Sequence, residues 1–279
     1  MNVIGIGKNE WARGVPEELV RACEELKIAY QVLDFSSDLD LELTDITHFA
    51  PCLFILKPQV VEIYRDAQAR GIIPLNPISA IAIADDKAKT YLALASANIP
   101  QVPTELIDLH ADSVLGYFRR NNAPSVFKMR HGGQGRWVRL IREESQVPAL
   151  CEEFAQEGLG PILAQPFIEE AEGESIRVIV TAGRVIAASK RRSTQDWRSN
   201  ISLGGVQERY ELNSHESEIA IAATATIGLG HAGVDLLKMR DGARVLEVNA
   251  CPDFTSMKSI SSVDIAHEVI KATLKAKLP

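Results

Sequence analysis

The sequence predicts a mixed α/β (α+β) chain of three consecutive units, and three observations carry that prediction. Residues 1–85 alternate apolar strands with helical patterns, which is typical of a small parallel-sheet unit. Residues 86–160 place a glycine-rich loop between two strands and follow it with a helix. Residues 161–279 hold two strand–turn–strand patterns flanked by helices, which favours an antiparallel sheet.

In the first unit, the stretch NVIGIG predicts a strand, and VPEELVRACEELKIA predicts a helix with Pro16 near its start. YQVLDFS and HFAPCLFIL predict two further strands, and PQVVEIYRDAQARG predicts a helix that ends at Gly71. The opening GIGKNE lacks the third glycine of a GxGxxG motif, so a dinucleotide site is not favoured.

The second unit starts with Asp85 or Asp86, either of which can cap a helix that runs to about Ala97. Pro100 and Pro103 then impose an extended segment. SVFKMR and RWVRLIR predict strands on either side of HGGQG, and ESQVPALCEEFAQEG predicts the next helix.

The third unit opens with the strand PILAQPFI. SIRVIVTAGRVIAASKRR predicts a hairpin that turns at Ala182-Gly183, and SHESEIAIAATATIGLG predicts a helix that ends at Gly228 or Gly230. A second hairpin, AGVDLLKMRDGARVLEVN, follows, and the last helix runs from about Val263 to Lys275.

Composition narrows the class of protein. A 46% apolar fraction is that of an ordinary globular chain, and a net charge of −7 argues against nucleic acid or an anionic membrane as partners. The four cysteines form no CxxC pair, which argues against a zinc site or disulfide framework and fits a reducing, cytoplasmic compartment; we interpret Cys251 as a packing residue. The apolar run at the start is too short for a signal peptide, and no stretch is long enough to span a membrane.

The second hairpin of the third unit carries Asp235, Glu247 and Asn249. Glu247 and Asn249 share a face because side chains alternate along a strand. Leu237 and Val245 fall on the carboxylate face, so that face is not simply solvated. A half-exposed hairpin with a polar face is the alternative interpretation.

The turn decides whether Asp235 joins that face. A two-residue turn at Asp241-Gly242 pairs Leu236 with Glu247 and points Asp235 away. A three-residue loop over 240–242, or a five-residue loop, pairs Asp235 with Glu247 and uses Gly242 at positive φ. Paired carboxylates repel each other, and a hard cation such as Mg²⁺ between them removes that cost. The odd-loop register therefore predicts a metal site.

Two other stretches suggest anion binding. Glycines in KMRHGGQGRWV let backbone N–H groups approach an anion beside Lys128, although an ordinary hairpin tip is the alternative and no GK[ST] of a P-loop follows. SKRRSTQDWRSN clusters four basic residues, Lys190, Arg191, Arg192 and Arg198, with Arg177 as a candidate fifth. Such a cluster is either a solvated face or a site for a carboxylate or phosphoryl group.

Taken in order, these motifs resemble the ATP-grasp superfamily and, within it, the RimK/LysX group of carboxylate–amine ligases. The order is a small α/β unit, DK, a lysine with its glycine loop, the hinge strand ILAQPFI, IR, WRSN…GG and D…E-x-N. The resemblance covers nearly the whole chain. It implies an ATP-grasp fold with an N-terminal domain (1–85), a central domain (86–160) and a C-terminal domain with the metal site (161–279). NISLGG after RS is closer to the RimK branch.

The resemblance also implies roles for individual residues. The positions that match nucleotide contacts are Lys87, Lys128, Gly132, Gly133, Gln134, Gly135, Gln165, Pro166, Phe167, Ile168 and Ser175. The positions that match ligands of two Mg²⁺ ions, with Mn²⁺ as an alternative, are Asp235, Glu247 and Asn249. The positions that match residues near the γ-phosphate, the acyl phosphate and the acceptor pocket are Arg177, Arg198 and Asn200.

Three positions depart from the family pattern. Pro166 stands where relatives often have glutamate, and Ser175 where many have aspartate. Asp253 stands where glycine is usual after the E-x-N segment.

The resemblance implies an ATP-dependent ligase that forms an amide through an acyl phosphate and releases ADP and phosphate. With the RimK-like loop, we expect it to add glutamate or a similar acidic amino acid to a carboxylate on a small molecule or on a peptide or protein C-terminus. The surface around Lys8 and Asn9 is expected to select that acceptor. We also expect a homo-oligomer, either a dimer or a tetramer. The alternatives are a LysX-like ligase for a carrier protein or cofactor acid, and a nucleotide-binding protein without turnover.

Overall fold

The computed structural model describes residues 4–8, 14–34, 74–121, 124–133, 135–158 and 160–275. The predicted strand HFAPCLFIL and the predicted helix PQVVEIYRDAQARG lie outside these ranges, as do Asn9 and Gln134.

The N-terminal unit has the predicted βαβ start. Strand β1 (Ile4–Lys8) pairs in parallel with β2 (Tyr30–Asp34), and helix α1 (Val15–Leu26) connects them. Pro16 stands in the first turn of α1, where its missing N–H costs no helical hydrogen bond. Leu19 of α1 is fully buried, so the helix covers one face of the two strands.

Two helices lead out of this unit, α2 (Ile78–Ala84) and α3 (Lys87–Ser96). Asp86 caps α3 as predicted, because its Oδ1 accepts hydrogen bonds from the backbone of Ala88 (3.0 Å) and Lys89 (3.4 Å). Helix α2 was not predicted. Leu94 of α3 lies in the core of the C-terminal sheet, whereas the sequence analysis groups α3 with the central unit.

The central unit is a four-stranded antiparallel sheet covered by two helices. Its elements in chain order are β3 (Glu105–Ile107), α4 (Ala111–Asn121), β4 (Ser125–Lys128), β5 (Val138–Ile141), α5 (Val147–Ala155) and β6 (Ile162–Pro166). The strand order is β3-β6-β4-β5. Strand β3 and helix α4 were not predicted. Helix α4 nevertheless buries Val114 and Tyr117 at helical spacing, and Gly116 interrupts the apolar pattern between them.

The C-terminal unit is a five-stranded antiparallel sheet. Its elements are β7 (Glu174–Thr181), β8 (Arg184–Arg192), β9 (Val206–Arg209), α6 (Ser214–Ile227), β10 (His231–Met239), β11 (Gly242–Asn249) and α7 (Ile265–Lys275), with strand order β11-β10-β7-β8-β9. The β7–β8 turn falls at Ala182-Gly183, and α6 ends at Gly228, both as predicted. Strand β9 was not predicted.

The two faces of this sheet are covered by different elements. Val178 and Val234 pack against α6 on one face. Ile179 on the other face shares a core with Ile4 of β1 and Val269 of α7, so the N-terminal unit sits directly on the C-terminal sheet. In the described part of the chain, no helix has the length and apolar character needed to cross a membrane.

The β10–β11 hairpin pairs Asp235 with Glu247, but it does so by a route that was not predicted. The loop has two residues, since Met239 pairs with Gly242, and this register alone would place Asp235 opposite Leu246. A β-bulge between Asp235 and Leu236 shifts the pairing by one residue and brings Glu247 across from Asp235. Gly242 has φ +126°, in the positive region that was predicted for it.

Because of the bulge, Val245 and Leu246 lie on other faces of the strand than the simple alternation predicts. Leu246 lines the cleft beside Glu247, whereas Val245 is buried in the core between the sheet and α6. The expectation that Val245 shares the carboxylate face, with Leu246 opposite, is therefore wrong. The reason is that a bulge places two residues of one strand against one residue of its partner.

Candidate active site

An open cleft of about 990 Å³ separates the four-stranded sheet from the five-stranded sheet. The predicted site residues that line it are Lys87, Lys128, Gly132, Gly133, Gly135, Gln165, Pro166, Phe167, Ile168, Ser175, Arg198, Asn200, Asp235 and Glu247. Arg177 and Asn249 lie behind this lining, each in contact with β10.

The carboxylates on β10 and β11 are held by different partners. Asp235 is buried and accepts two hydrogen bonds from Arg177, from Nε to Oδ1 (2.5 Å) and from Nη2 to Oδ2 (2.7 Å). Glu247 opposite is more exposed and lies 3.8 Å from the Nζ of Lys87. Arg177 thus offsets part of the repulsion between the two carboxylates.

These side chains suit a hard cation. Asp235 and Glu247 bring carboxylate oxygens to one face, and Asn249 follows Glu247 on that face by strand alternation. Asn249 donates its Nδ2 to the carbonyl oxygen of Gly233 at 3.5 Å, which leaves its Oδ1 as the end available to a ligand. Carboxylate and amide oxygens are the donors that Mg²⁺ prefers, so the residues present fit this ion.

Asp235 raises the pKa of the Arg177 guanidinium by more than burial lowers it. Burial acts to lower its pKa, but the charge of Asp235 and the two hydrogen bonds outweigh burial and raise the pKa above its ordinary value. Arg177 is thus a permanent cation at the floor of the site.

Two lysines lie near the carboxylates, Lys128 on the four-stranded sheet and Lys87 on α3. Lys128, at the end of β4, is buried, and burial lowers its pKa to about 8, with Lys87 acting in the same direction and Glu247 against it. Lys87, in the first turn of α3, donates its Nζ to the carbonyl oxygen of Gly132 at 2.5 Å. Both ammonium groups thus lie where the glycine loop meets the cleft.

Arg191 on β8 lies in this cleft, although the resemblance gave it no role. It is 7% exposed, its Nη1 lies 3.7 Å from Asp235, and its Nε has no hydrogen-bond partner among the described residues. Burial lowers its pKa to about 10, and the nearby charge of Arg177 adds to that effect. A buried donor without an acceptor carries a cost, which an anion in the cleft would remove.

The signal for Arg191 was present in the sequence. In the KRR run, side chains on β8 alternate, so Arg191 points to one face while Lys190 and Arg192 point to the other. Lys190 lies 2.7 Å from Glu174, and Arg192 lies 3.1 Å from the same carboxylate. The interpretation of all four basic residues as one cluster is therefore wrong, because only Arg191 and Arg198 line the cleft.

Arg198 ties the two walls together. Its Nε and Nη2 bind Asp196 at 2.9 and 2.7 Å, and its Nη1 donates to the carbonyl oxygen of Gly135 at 2.7 Å. The segment after β8 is thereby held over the glycine loop of the central unit. Its charge is largely paired, in contrast to that of Arg191.

The far end of the cleft is apolar. Phe167 and Trp197 meet edge to face with ring centroids 5.9 Å apart, and Trp197 is a further lining residue that the sequence analysis did not single out. Gln165 donates to Thr104 Oγ1 at 2.8 Å, and the Phe167 N–H donates to the carbonyl oxygen of Pro124 at 2.9 Å. Ser175 bonds Ser199 through the two hydroxyls at 2.6 Å. The hinge strand ILAQPFI and its neighbours thus form an aromatic surface whose polar groups are largely hydrogen-bonded.

Comparison with known proteins agrees with this geometry. Residues 84–273 match the RimK-like ATP-grasp domain. A probable alpha-L-glutamate ligase of Haemophilus ducreyi is 35% identical over 210 residues, which cover 75% of this chain and 68% of the relative. A protein of the same name from an Enterobacter species is 36% identical over 208 residues, covering 74% and 69% of the two chains.

Solved structures show the same fold at low sequence identity. The D-cycloserine synthetase DcsG aligns with a TM-score of 0.77 at 16% identity, covering 98% of this chain and 99% of its own. The D-alanine–D-alanine ligase of Bacillus anthracis complexed with ATP aligns with a TM-score of 0.73 at 15% identity, covering 99% and 98%. ATP-grasp enzymes in general use ATP and divalent metals. With its cleft between two antiparallel sheets and its paired carboxylates facing two lysines, this chain belongs to the RimK-like ATP-grasp family and is an ATP-grasp ligase.

Proposed function

We propose that the protein joins the amine of glutamate, or of a similar acidic amino acid, to an acceptor carboxylate through an acyl phosphate, with release of ADP and phosphate. The observation that carries this proposal is the meeting of Asp235 and Glu247 with Lys87 and Lys128 in one cleft. Cations and carboxylates in one cleft suit a nucleotide triphosphate with its metal, and the relatives named above are probable alpha-L-glutamate ligases.

In the proposed reaction, an oxygen of the acceptor carboxylate attacks the γ-phosphorus of ATP, and the bond to the leaving ADP oxygen breaks. The amine then attacks the acyl carbon, and phosphate leaves. The chain supplies positioning and charge for both steps rather than a nucleophile of its own. Lys128 and the N–H groups of the glycine loop hold the terminal phosphate, and the aromatic hinge around Phe167 and Trp197 holds the base.

Asp235, Glu247 and Asn249 are the residues that would hold Mg²⁺. The ion, when bound, supplies positive charge to the phosphate oxygens. Arg177 orients the Asp235 carboxylate through both of its oxygens.

The acidic substrate is supported by a cation in the cleft that lacks one hydrogen-bond acceptor. Arg191 is buried, lies 3.7 Å from Asp235 and is short of one acceptor at Nε. An amino acid with a second carboxylate offers an acceptor in addition to its α-carboxylate, whereas a basic or apolar amino acid has the α-carboxylate alone.

The test is incubation of the protein with ATP, Mg²⁺, candidate acceptor acids and each amino acid in turn. Mass spectrometry of the product and chromatography of the spent nucleotide are the measurements. We expect ADP as the nucleotide product and incorporation of glutamate or aspartate. AMP as the main product contradicts the acyl-phosphate route, and preferential incorporation of lysine, arginine or an apolar amino acid contradicts the acidic substrate.

An arginine pair sharpens this test. Arg198→Ala removes the hydrogen bond to Gly135 and a charge beside the phosphates. The activation free energy calculated from kcat/KM should therefore rise by about 2–4 kcal/mol. Arg184→Ala is the matched control, because Arg184 pairs with Glu268 and neither residue lines the cleft. It should leave kcat/KM unchanged.

A further inference from the structure

A buried asparagine just ahead of α2, Asn76, joins the two strands of the β10–β11 hairpin at the end away from its turn. Its Oδ1 accepts a hydrogen bond from the backbone N–H of His231 at 2.8 Å. Its Nδ2 donates to two carbonyl oxygens, those of His231 at 2.8 Å and Ala250 at 2.9 Å. Asn76 is only 5% exposed, so these hydrogen bonds are shielded from water. One side chain thus connects the first residue of β10 to the residue that follows β11.

The strand pairing shows what this side chain replaces. Among the described residues, the pairing between β10 and β11 ends with Gly233 opposite Asn249. The carbonyl oxygens of His231 and Ala250 lie beyond that pair, and buried backbone groups of this kind need a partner. The amide of Asn76 supplies it, and therefore acts as one further rung of the ladder that comes from another part of the chain.

Asn249 depends on this rung because it stands directly before Ala250. Its backbone pairs with Gly233, and its Nδ2 donates to the carbonyl oxygen of Gly233 at 3.5 Å, which is a long hydrogen bond. That contact alone holds the side chain loosely. The position of the Asn249 Oδ1 therefore depends on where the backbone from Asn249 to Ala250 lies, and Asn76 is bonded to that backbone.

The linker that presents Asn76 is itself closely packed. A Cβ atom added at Gly230 would lie 2.2 Å from the carbonyl oxygen of Leu75, so the linker passes against β10 where only glycine leaves room for it. Leu75 belongs to the core that the N-terminal unit shares with the C-terminal sheet. Asn76 does not line the cleft, so it can act on a ligand there only through its neighbours.

We infer that Asn76 is a positioning residue for the metal site, which holds the backbone at Ala250 so that Asn249 presents its Oδ1 to Mg²⁺. The inference rests on the proposed function, since it assigns a support to one of the metal ligands proposed there. Asp235 does not share this support, because Arg177 orients its carboxylate. Loss of Asn76 should therefore weaken metal binding while the carboxylates stay paired.

The test measures the binding of Mn²⁺, in place of Mg²⁺, to the complex of the full chain with ADP. EPR spectroscopy of free Mn²⁺ gives the Kd without any turnover. Asn76→Asp keeps an acceptor for the N–H of His231 and replaces the donor to the two carbonyl oxygens by a second oxygen. The Kd for Mn²⁺ should rise by about 10-fold to 100-fold, the usual effect of removing a group that supports a metal ligand. Asn76→Ala gives the same comparison if the added charge prevents folding.

A double-mutant cycle separates positioning from general damage. Asn249→Ala should weaken Mn²⁺ binding by itself, and adding Asn76→Asp should cause no further loss, because the effect of Asn76 passes through the Asn249 side chain. Binding of ADP in EDTA should stay within about twofold of wild type in every variant. Asn213→Ala is the stability control, since it removes the cap of α6 on the same sheet and should leave the Kd for Mn²⁺ unchanged.

The inference and the proposed function fail in different ways. An unchanged Kd for Mn²⁺ in Asn76→Asp, losses that multiply in the double variant, or an equal loss in Asn213→Ala overturns the role of Asn76 alone. A wild-type chain that binds no Mn²⁺ in the presence of ADP overturns the proposed metal site and, with it, the role of Asn76.

Discussion

The two walls of the cleft differ in how strongly their polar groups are buried and fixed. On the five-stranded sheet, the polar side chains are buried and fixed by one another, as in the bidentate pair of Arg177 with Asp235. On the four-stranded sheet, the wall is a glycine loop whose residues His131, Gly132 and Gly133 are exposed. This loop is held at two carbonyl oxygens, by Lys87 and by Arg198.

This difference indicates how each wall meets a ligand. The sheet wall is preorganised, so binding there requires little rearrangement. The cations that hold the loop wall are the same groups that an anion would attract, so binding there exchanges a carbonyl partner for a phosphate partner. Changes to the sheet wall should therefore cost stability and activity together, and changes to the loop wall should cost activity with little loss of stability.

The largest effect is expected from Asp235→Asn. It removes the counterion of a buried arginine, so the free energy of unfolding should fall by about 3–5 kcal/mol, and turnover should fall by at least about 10²–10³-fold. Glu247→Gln is the matched variant, because Glu247 is more exposed and its ion pair with Lys87 is looser, at 3.8 Å. It should lose comparable turnover with a stability change below about 1 kcal/mol.

Urea unfolding and steady-state ATP turnover on both variants are the measurements. Equal stability of the two variants would contradict the role of Arg177, and near wild-type turnover in either would remove the metal assignment.

A smaller effect concerns Lys128 and pH. Burial lowers its pKa to about 8, and a bound phosphate favours the protonated form. Below pH 8 the free protein already carries the charge that binds phosphate; above pH 8 binding must take up a proton. Affinity for ADP should therefore fall as pH rises through 8, by up to about tenfold per pH unit.

Isothermal titration calorimetry between pH 7 and 9.5 measures this effect. Lys128→Met supplies the control, since it should bind about 10–100-fold more weakly at pH 7 and lose this pH dependence. A wild-type affinity that is flat across the range would show that Lys128 does not take up the proton.

The smallest effect isolates the loop wall. Gly135 has φ +72°, and an added Cβ would contact Arg198 and Asn200 at 3.4 Å. Gly135→Ala should lower kcat/KM for ATP by about 5–10-fold, equivalent to about 1 kcal/mol of backbone strain at the loop. Gly183→Ala introduces similar strain at φ +70° in an open hairpin turn with no neighbour within 4 Å, and should leave kcat/KM unchanged.

Thermal unfolding of both glycine variants completes the comparison. Similar small losses of stability are expected, because each substitution strains one surface turn. If Gly183→Ala impairs activity as much as Gly135→Ala, general strain rather than the loop wall is responsible.

The hairpin shows how far sequence reasoning reaches. Alternation and the paired carboxylates predicted that Asp235 and Glu247 are neighbours, and this is confirmed. The loop length was wrong, because a bulge at Leu246 depends on how β10 and β11 meet and leaves no fixed residue signature. The same limit applies to α4, where burial of Val114 and Tyr117 outweighs the low helix propensity of Gly116.

For the candidate site, most of the residues that the order of motifs singled out line the cleft. That order did not separate Arg191 from Lys190 and Arg192, although alternation along β8 does so. Trp197 was out of reach for another reason. Its position in the cleft depends on contact with Phe167, which is distant in sequence and meets Trp197 only in the folded chain.

The shared core of the N-terminal unit and the C-terminal sheet has a mechanical consequence. Ile4 and Ile179 lie in one core, whereas Phe127 lies in the separate core of the four-stranded sheet. The chain crosses from one body to the other just after Val102, which is bonded to Val245 of β11, and again just before Gly173, which is bonded to Trp197. The four-stranded sheet therefore has a core of its own, and these two crossings and the contacts across the cleft are what join it to the rest of the chain. The carboxylates of β10 and β11, by contrast, stand on the sheet whose other strands share a core with the N-terminal unit.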